Sequence, residues 1–210
     1  TPPKLHRHLT GEQLAKLMAA NQPTYRLCHT RDLFVFSAFT GLGRAEMAEL
    51  SESHIVTDEN GSKWIYIHRL KTKVECRIKL LDIPLKIMEK YKGEGTDRLF
   101  YVPATSSLCR SLKIIGDICG LDCHLTYYMA RHTYATEICL SNGVPIETIS
   151  SMMGHSNIRT TQIYAEITNQ KVRKDFGILS EKTKNRYSLP EDNMPSRVYR
   201  CGQYSGWKKE

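Results

Sequence analysis

Apolar positions recur at helical spacing from residue 10 onward. Thr10-Gly11-Glu12-Gln13 reads as a capping box, with Gln13 reaching back to the backbone, and Leu14, Leu17 and Met18 form the stripe behind it. A second helix is predicted from Thr24 to Phe39, stopping at Thr40-Gly41, and a short third from Ala45 to Leu50. The period then changes. Lys63 to His68 (KWIYIH) is aromatic and β-branched behind the turn signal Asn60-Gly61, and Val74 to Leu81 is a second extended stretch. Arg69-Leu70-Lys71-Thr72-Lys73 between them predicts a small antiparallel sheet with a basic hairpin tip.

Helices resume over Ile83 to Tyr91 and over Ser107 to Cys119, the latter closed by Gly120. Thr126 to Asn142 reads as one long helix ended by Gly143. Pro145 opens another that closes at Gly154, with Pro first and Gly last, and a short helix follows over Thr160 to Ala165. From Lys171 onward the pattern fades, and ten lysines and arginines face five acids, so this stretch reads as a tail or arm. The fold class expected is mainly α with a small antiparallel β-sheet (α+β).

Composition narrows the classes. The chain has 210 residues, 40% apolar and 25% charged, a globular balance with room for one core. Its longest apolar run, Leu33 to Phe39, already contains Ser37 and is far too short to span a bilayer, and no signal peptide is expected from TPPKLHRHLT. The seven cysteines are odd in number and scattered, which fits a reducing cytoplasm. Cys119, Cys123 and His124 match no zinc spacing, so no metal and no cofactor are expected, and Cys119 reads as a small core residue. A net charge of +8 fits an anionic partner such as nucleic acid.

Residue types suited to phosphoryl transfer gather between Arg131 and Ile167. Arg131 sits on a helix, and an arginine fork donates two parallel charged hydrogen bonds to phosphate. His155 directly follows a helix-ending glycine, a position from which a ring N–H can aim at a phosphoryl oxygen. Tyr164 offers a phenol that can attack phosphorus and leave again, since its pKa lies near 10. Taken singly, these read as a surface ion-pair group, a turn residue and a half-buried tyrosine with a wet hydroxyl. Their joint spacing carries the signal.

At these residues the chain resembles the catalytic domain of the tyrosine recombinases, also called the phage-integrase family. The family pattern stands here as Arg131-His132-Thr133-Tyr134-Ala135-Thr136, Met153-Gly154-His155 and Thr160-Thr161-Gln162-Ile163-Tyr164. With Thr40-Gly41-Leu42 and the Lys71 hairpin, the resemblance covers about residues 5 to 175. The wording SNGVPIETISSMMGHSNIRTTQIYAEI is especially similar to integrases of conjugative and mobilisable transposons.

The resemblance implies site-specific recombination, in which DNA is cut without metal through a 3′-phosphotyrosyl link that frees a 5′-hydroxyl. It makes Tyr164 the nucleophile, and Arg131 and His155 the groups holding the non-bridging oxygens. Lys71 becomes the acid for the leaving 5′-oxygen, with Lys73 as the alternative. Lys71, Lys73, Arg69, His132 and Arg159 are the expected DNA contacts. Two positions depart from the family. Its first arginine follows Thr-Gly-Leu directly, but Gly43 stands there and Arg44 comes one step later, turned about 100° along a helix, either a catalytic arginine reaching the phosphate from a reshaped loop or an unrelated surface charge. Three residues before Arg131, where histidine is usual, stands Tyr128, a poor general base at neutral pH. A working but modified site is expected.

The resemblance also sets the organisation: a catalytic domain over 1–179, a basic tail over 180–210, and an N-terminal core-binding domain outside this chain. Double-stranded DNA is the implied partner, and the chain is expected to act in the cytoplasm at the nucleoid. Four copies on two DNA sites are implied, monomeric without DNA, with the segment Asn169 to Leu179 as a contact between copies. Accessory DNA-bending proteins are among the implied partners. A recombinase-fold regulator without catalysis and a type IB topoisomerase-like relaxing enzyme are the alternative readings.

Overall fold

The computed structural model describes residues 8–70, 73–92, 97–155, 157–162 and 176–181. The chain divides into two compact units, Thr1–Glu166 and Ile167–Glu210.

The first unit is built around α2 (Tyr25–Thr40), capped by the Thr24 side chain. Eleven of its sixteen residues are buried, including Phe34 and Phe36 on opposite sides of the stretch Leu33 to Ala38. A helix buried on all faces needs cover on all faces. That cover comes from α1 (Gly11–Ala19), α4 (Asp82–Tyr91), α5 (Thr105–Ile118) and α6 (Tyr127–Thr133). Asp32 is the charged exception within α2, 6% exposed, and is held by Lys90 at 2.6 Å, the Tyr91 hydroxyl at 2.8 Å and Arg31 at 2.9 Å. Burial pushes its carboxyl up, but these three partners outweigh burial and leave it below the usual carboxylate range. The expected capping box of α1 is present, with Gln13 N–H on the Thr10 hydroxyl and Thr10 N–H on the Gln13 side chain.

The sheet has three antiparallel strands in the order β1 (Ile55–Thr57), β2 (Lys63–His68), β3 (Glu75–Lys79). The strand β1 is absent from the sequence prediction, because three residues are too few to show alternation. Its partners are fixed by the register Ile55↔Ile65, and β2 pairs β3 through Ile65↔Ile78 and Ile67↔Cys76. These last four side chains are buried. The opposite face carries Tyr66 under the Arg77 guanidinium and Trp64 under Lys79.

The helix expected from Thr126 to Asn142 is not continuous. After α6 the chain widens into a π-helical turn over Tyr134–Cys139 and tightens into a 3₁₀ turn over Leu140–Asn142, before Gly143 at φ +83°. The Leu140 N–H reaches the Ala135 carbonyl, five residues back. This widening puts Tyr134 with Cys139, and Ala135 with Leu140, on one face. That face packs with Ile149 and Met153 as a second buried cluster beside the main core. The helix α7 (Ile146–Met152) supplies Ile149 and lies against β3, and α8 (Arg159–Gln162) follows. In the second unit, residues 176–181 are helical, and Phe176, Ile178 and Leu179 are exposed.

Candidate active site

The site begins at the C-terminus of α2. Gly41 caps it in the left-handed region at φ +69°, its N–H on the Ser37 carbonyl at 2.8 Å. A β-carbon there would lie 2.5 Å from the Tyr134 ring, so position 41 admits only glycine on both conformational and steric grounds. The turn presents the Gly41 carbonyl, which accepts from Arg131 Nη1 at 2.6 Å and from Arg69 Nη2 at 3.3 Å. The negative end of the α2 dipole favours cations at this point.

Arg131 is half-buried on α6. Its Nη2 donates to the Met153 carbonyl at 2.9 Å and lies 2.8 Å from His155 Nε2. Two carbonyls from elements far apart in sequence thus fix the plane of the guanidinium. The turn after α7 supplies the other half: Gly154 at φ +60° sends the chain back, and His155 N–H closes on the Ser150 carbonyl at 3.0 Å. Because a guanidinium only donates, Nε2 of His155 accepts, and the ring proton resides on Nδ1, donated to Thr161 Oγ1 at 2.7 Å. Burial and the charges of Arg131 and Arg69 push the His155 pKa down to about 4. The imidazole is therefore neutral at pH 7. In this arrangement Nε2 accepts from Arg131.

The remaining sequence candidates separate. Tyr164 and Lys71 lie outside the described residues. Lys73 is exposed at the hairpin, in the left-handed region at φ +56°, with its N–H on the Arg69 carbonyl. Arg159 is exposed at the start of α8. Arg44 opens α3 (Arg44–Glu49) and donates to the Pro103 carbonyl at 3.3 Å. Tyr128 is 62% exposed, with its ring edge-on to His132 at 4.5 Å. His132 itself is 6% exposed, buried in α6 and not at the surface expected of a DNA contact.

Arg69 is the largest correction. Expected as an exposed DNA contact in the basic hairpin, it is 4% exposed. Its Nη1 pairs with Glu46 Oε1 at 3.3 Å, while its stem and Nε lie against Gly154, where a β-carbon would sit 2.5 Å from Cγ and 3.2 Å from Nε. The signal was available in the strand period. Ile65 and Ile67 face inward in β2, and position 69 continues that face.

The Phage integrase family profile matches residues 7–171. The tyrosine recombinase XerA of Thermococcus onnurineus (strain NA1) is 30% identical over 190 residues, covering 82% of this chain and 62% of that protein. The crystal structure of XerA recombinase shares 23% identity at a TM-score of 0.64, covering 89% of this chain and 68% of that one. The Tn1549 transposon integrase in complex with transposon right end DNA shares 19% identity at a TM-score of 0.62, covering 86% and 67%. The chain spans 62% and 45% of the length of two curated XerA relatives that it matches. With its profile match, its helical architecture and its arginine–histidine site in one place, this chain belongs to the Phage integrase family.

Proposed function

We propose that this chain carries the catalytic machinery of a site-specific DNA recombinase that cleaves and rejoins strands through a 3′-phosphotyrosyl link. The observation that carries the reading is the Arg131 guanidinium, held by the Gly41 and Met153 carbonyls and directed at His155. A cation fixed in this way needs no reorganisation when charge develops on a phosphoryl oxygen. The Tyr164 oxygen bonds to phosphorus as the bond from phosphorus to the 5′-oxygen breaks. The phenol proton leaves to solvent, and the Lys71 ammonium gives its proton to the departing 5′-oxygen. The reverse attack by a 5′-hydroxyl restores the phosphodiester and frees the phenol, so one ester replaces another and no high-energy co-substrate is consumed. Tyr128 adds no base, so the Tyr164 proton goes to water, and the surrounding positive charge favours the phenolate that remains.

Double-stranded DNA is the proposed substrate, supported by the formal charge of +8. Recombination joins two sites, and we place four copies on them, monomeric away from DNA, with residues 169–179 between copies; sedimentation with and without duplex reads both states. Among the described residues no helix is long and apolar enough to cross a membrane. We place the reaction in the cytoplasm at the nucleoid, with accessory DNA-bending proteins as further partners.

The test is a pool of randomised duplexes in which a 5′-bridging sulfur replaces the scissile ester oxygen, so that cleavage cannot reverse. A covalent protein–DNA adduct, mapped by peptide sequencing to Tyr164 and absent in Tyr164→Phe, is the expected result. DNA binding without any adduct would instead mark a regulator that has lost catalysis.

A further inference from the structure

We infer that Arg69 is a catalytic residue, a second guanidinium on the scissile phosphate that takes the place of the arginine missing at position 43. The inference deepens the DNA-cleavage reading above and rests on it. Gly43 is followed on α3 by Glu46, whose carboxylate bridges two positions. A β-carbon on Gly43 would lie 2.6 Å from Glu46 Oε2, while Oε1 pairs with Arg69 at 3.3 Å. The anion that a guanidinium rooted at 43 would meet is thus already met by one rooted at 69, on the adjacent hairpin.

Geometry ties Arg69 to the rest of the site. It shares the Gly41 carbonyl with Arg131, and its stem and Nε lie beside the Gly154 peptide that leads into His155. The charges of both arginines reach the His155 ring. Among the described residues, two fixed guanidiniums against one carboxylate and a neutral imidazole leave net positive charge for an anionic phosphodiester, to which the Lys71 ammonium of the proposed step adds. Moreover, Arg69 Nε is buried with no oxygen or nitrogen acceptor among the described residues, and only the weakly accepting Cys76 thiol lies near that guanidinium. A buried donor left without a partner is costly in a resting fold and rare without a ligand to explain it. An oxygen of phosphate would satisfy it. Arg44, the nearer arginine in sequence, is engaged with Pro103 instead.

The test uses the duplex recovered from the randomised pool and follows adduct formation in a single turnover, with circular dichroism and thermal melting reporting the fold. Arg69→Ala is expected to cut the rate about 100-fold or more. The double variant Arg69→Ala with Gly43→Arg is expected to recover at least about tenfold of that loss, because only the distal carboxylate of Glu46 has to move to admit the new side chain. A purely structural arginine would not be rescued from position 43. Should Arg69→Ala melt as an unfolded chain, Arg69→Lys decides. It keeps a charge for Glu46 but loses the fork, and a slowing of about tenfold is expected.

A rate within about threefold of the parent in the deciding variant, or no recovery in the double variant, overturns the inference. A second readout needs no cleavage: binding of inorganic tungstate, a tetrahedral oxyanion, followed by calorimetry. Arg69→Lys is expected to bind it at least about tenfold more weakly than the parent chain. Equal affinity, or no binding by the parent chain, overturns the assignment. A parent chain that binds tungstate but forms no Tyr164 adduct sinks the recombinase reading and leaves the anion site standing.

Discussion

At the scale of single residues, the site works through direction more than through proximity. Arg131 is aimed by backbone oxygens, which a lysine could meet only as a point charge. Arg131→Lys is therefore expected to slow adduct formation about 100- to 1000-fold in single-turnover assays while melting within a few degrees of the parent. His155 responds to acidity in the opposite sense to a salt-bridged histidine. Unfolded histidine titrates near 6.5, whereas here the ring stays neutral down to about 4. Between those values the unfolded chain binds the extra proton, so this group's contribution to stability falls as pH drops from about 6.5 towards 4. Melting curves across that window are expected to show a steeper acid loss for the parent than for His155→Gln. A parallel loss in both would refute the assignment.

At the scale of elements, the turns carry the positioning. Gly154 sits at φ +60°, and a β-carbon there would run into Cys76 Sγ and the Arg69 stem. Gly154→Ala is expected to cost at least about 1–2 kcal/mol in urea unfolding, from left-handed backbone alone. It is also expected to slow cleavage by displacing the neighbouring turn. The helices themselves were legible beforehand. Thr10 and Gln13 cap as read, α2 ends at Gly41, and the turn before His155 falls at Gly154. Periodicity could not show the π turn over Tyr134–Cys139, because an apolar face of five-residue spacing differs from an α-helical one by a single position. Nor could it show β1, which is a strand only because β2 lies beside it. The strand period already placed residue 69 on the inward face, but its charged type argued for the surface, and only the Glu46 carboxylate across from it resolves the two.

For the whole first unit, stability is expected to depend on one charge at its centre. Asp32 joins α2 to α4 through Lys90 and Tyr91. Asp32→Ala would leave Arg31 and the half-exposed Lys90 without that anion and is expected to lower unfolding free energy by about 3 kcal/mol in a chemical melt. Because the Asp32 carboxyl is held below the usual range, its contribution is present above the unfolded pKa near 3.8 and is lost as pH falls through the lower folded value. Helix packing of this kind was foreseeable as a class. The pairings that bring residue 41 to 131, and 131 to 155, were not, because no local pattern encodes contacts across such separations.

The single oxygen of Gly41 that accepts hydrogen bonds from both arginines has a genetic consequence. Neither side chain can be removed without loosening the other's anchor, so their losses should not multiply. A chain lacking both is expected to be hardly slower than one lacking either, and a cycle of the three variants would register this as strong epistasis between positions 69 and 131.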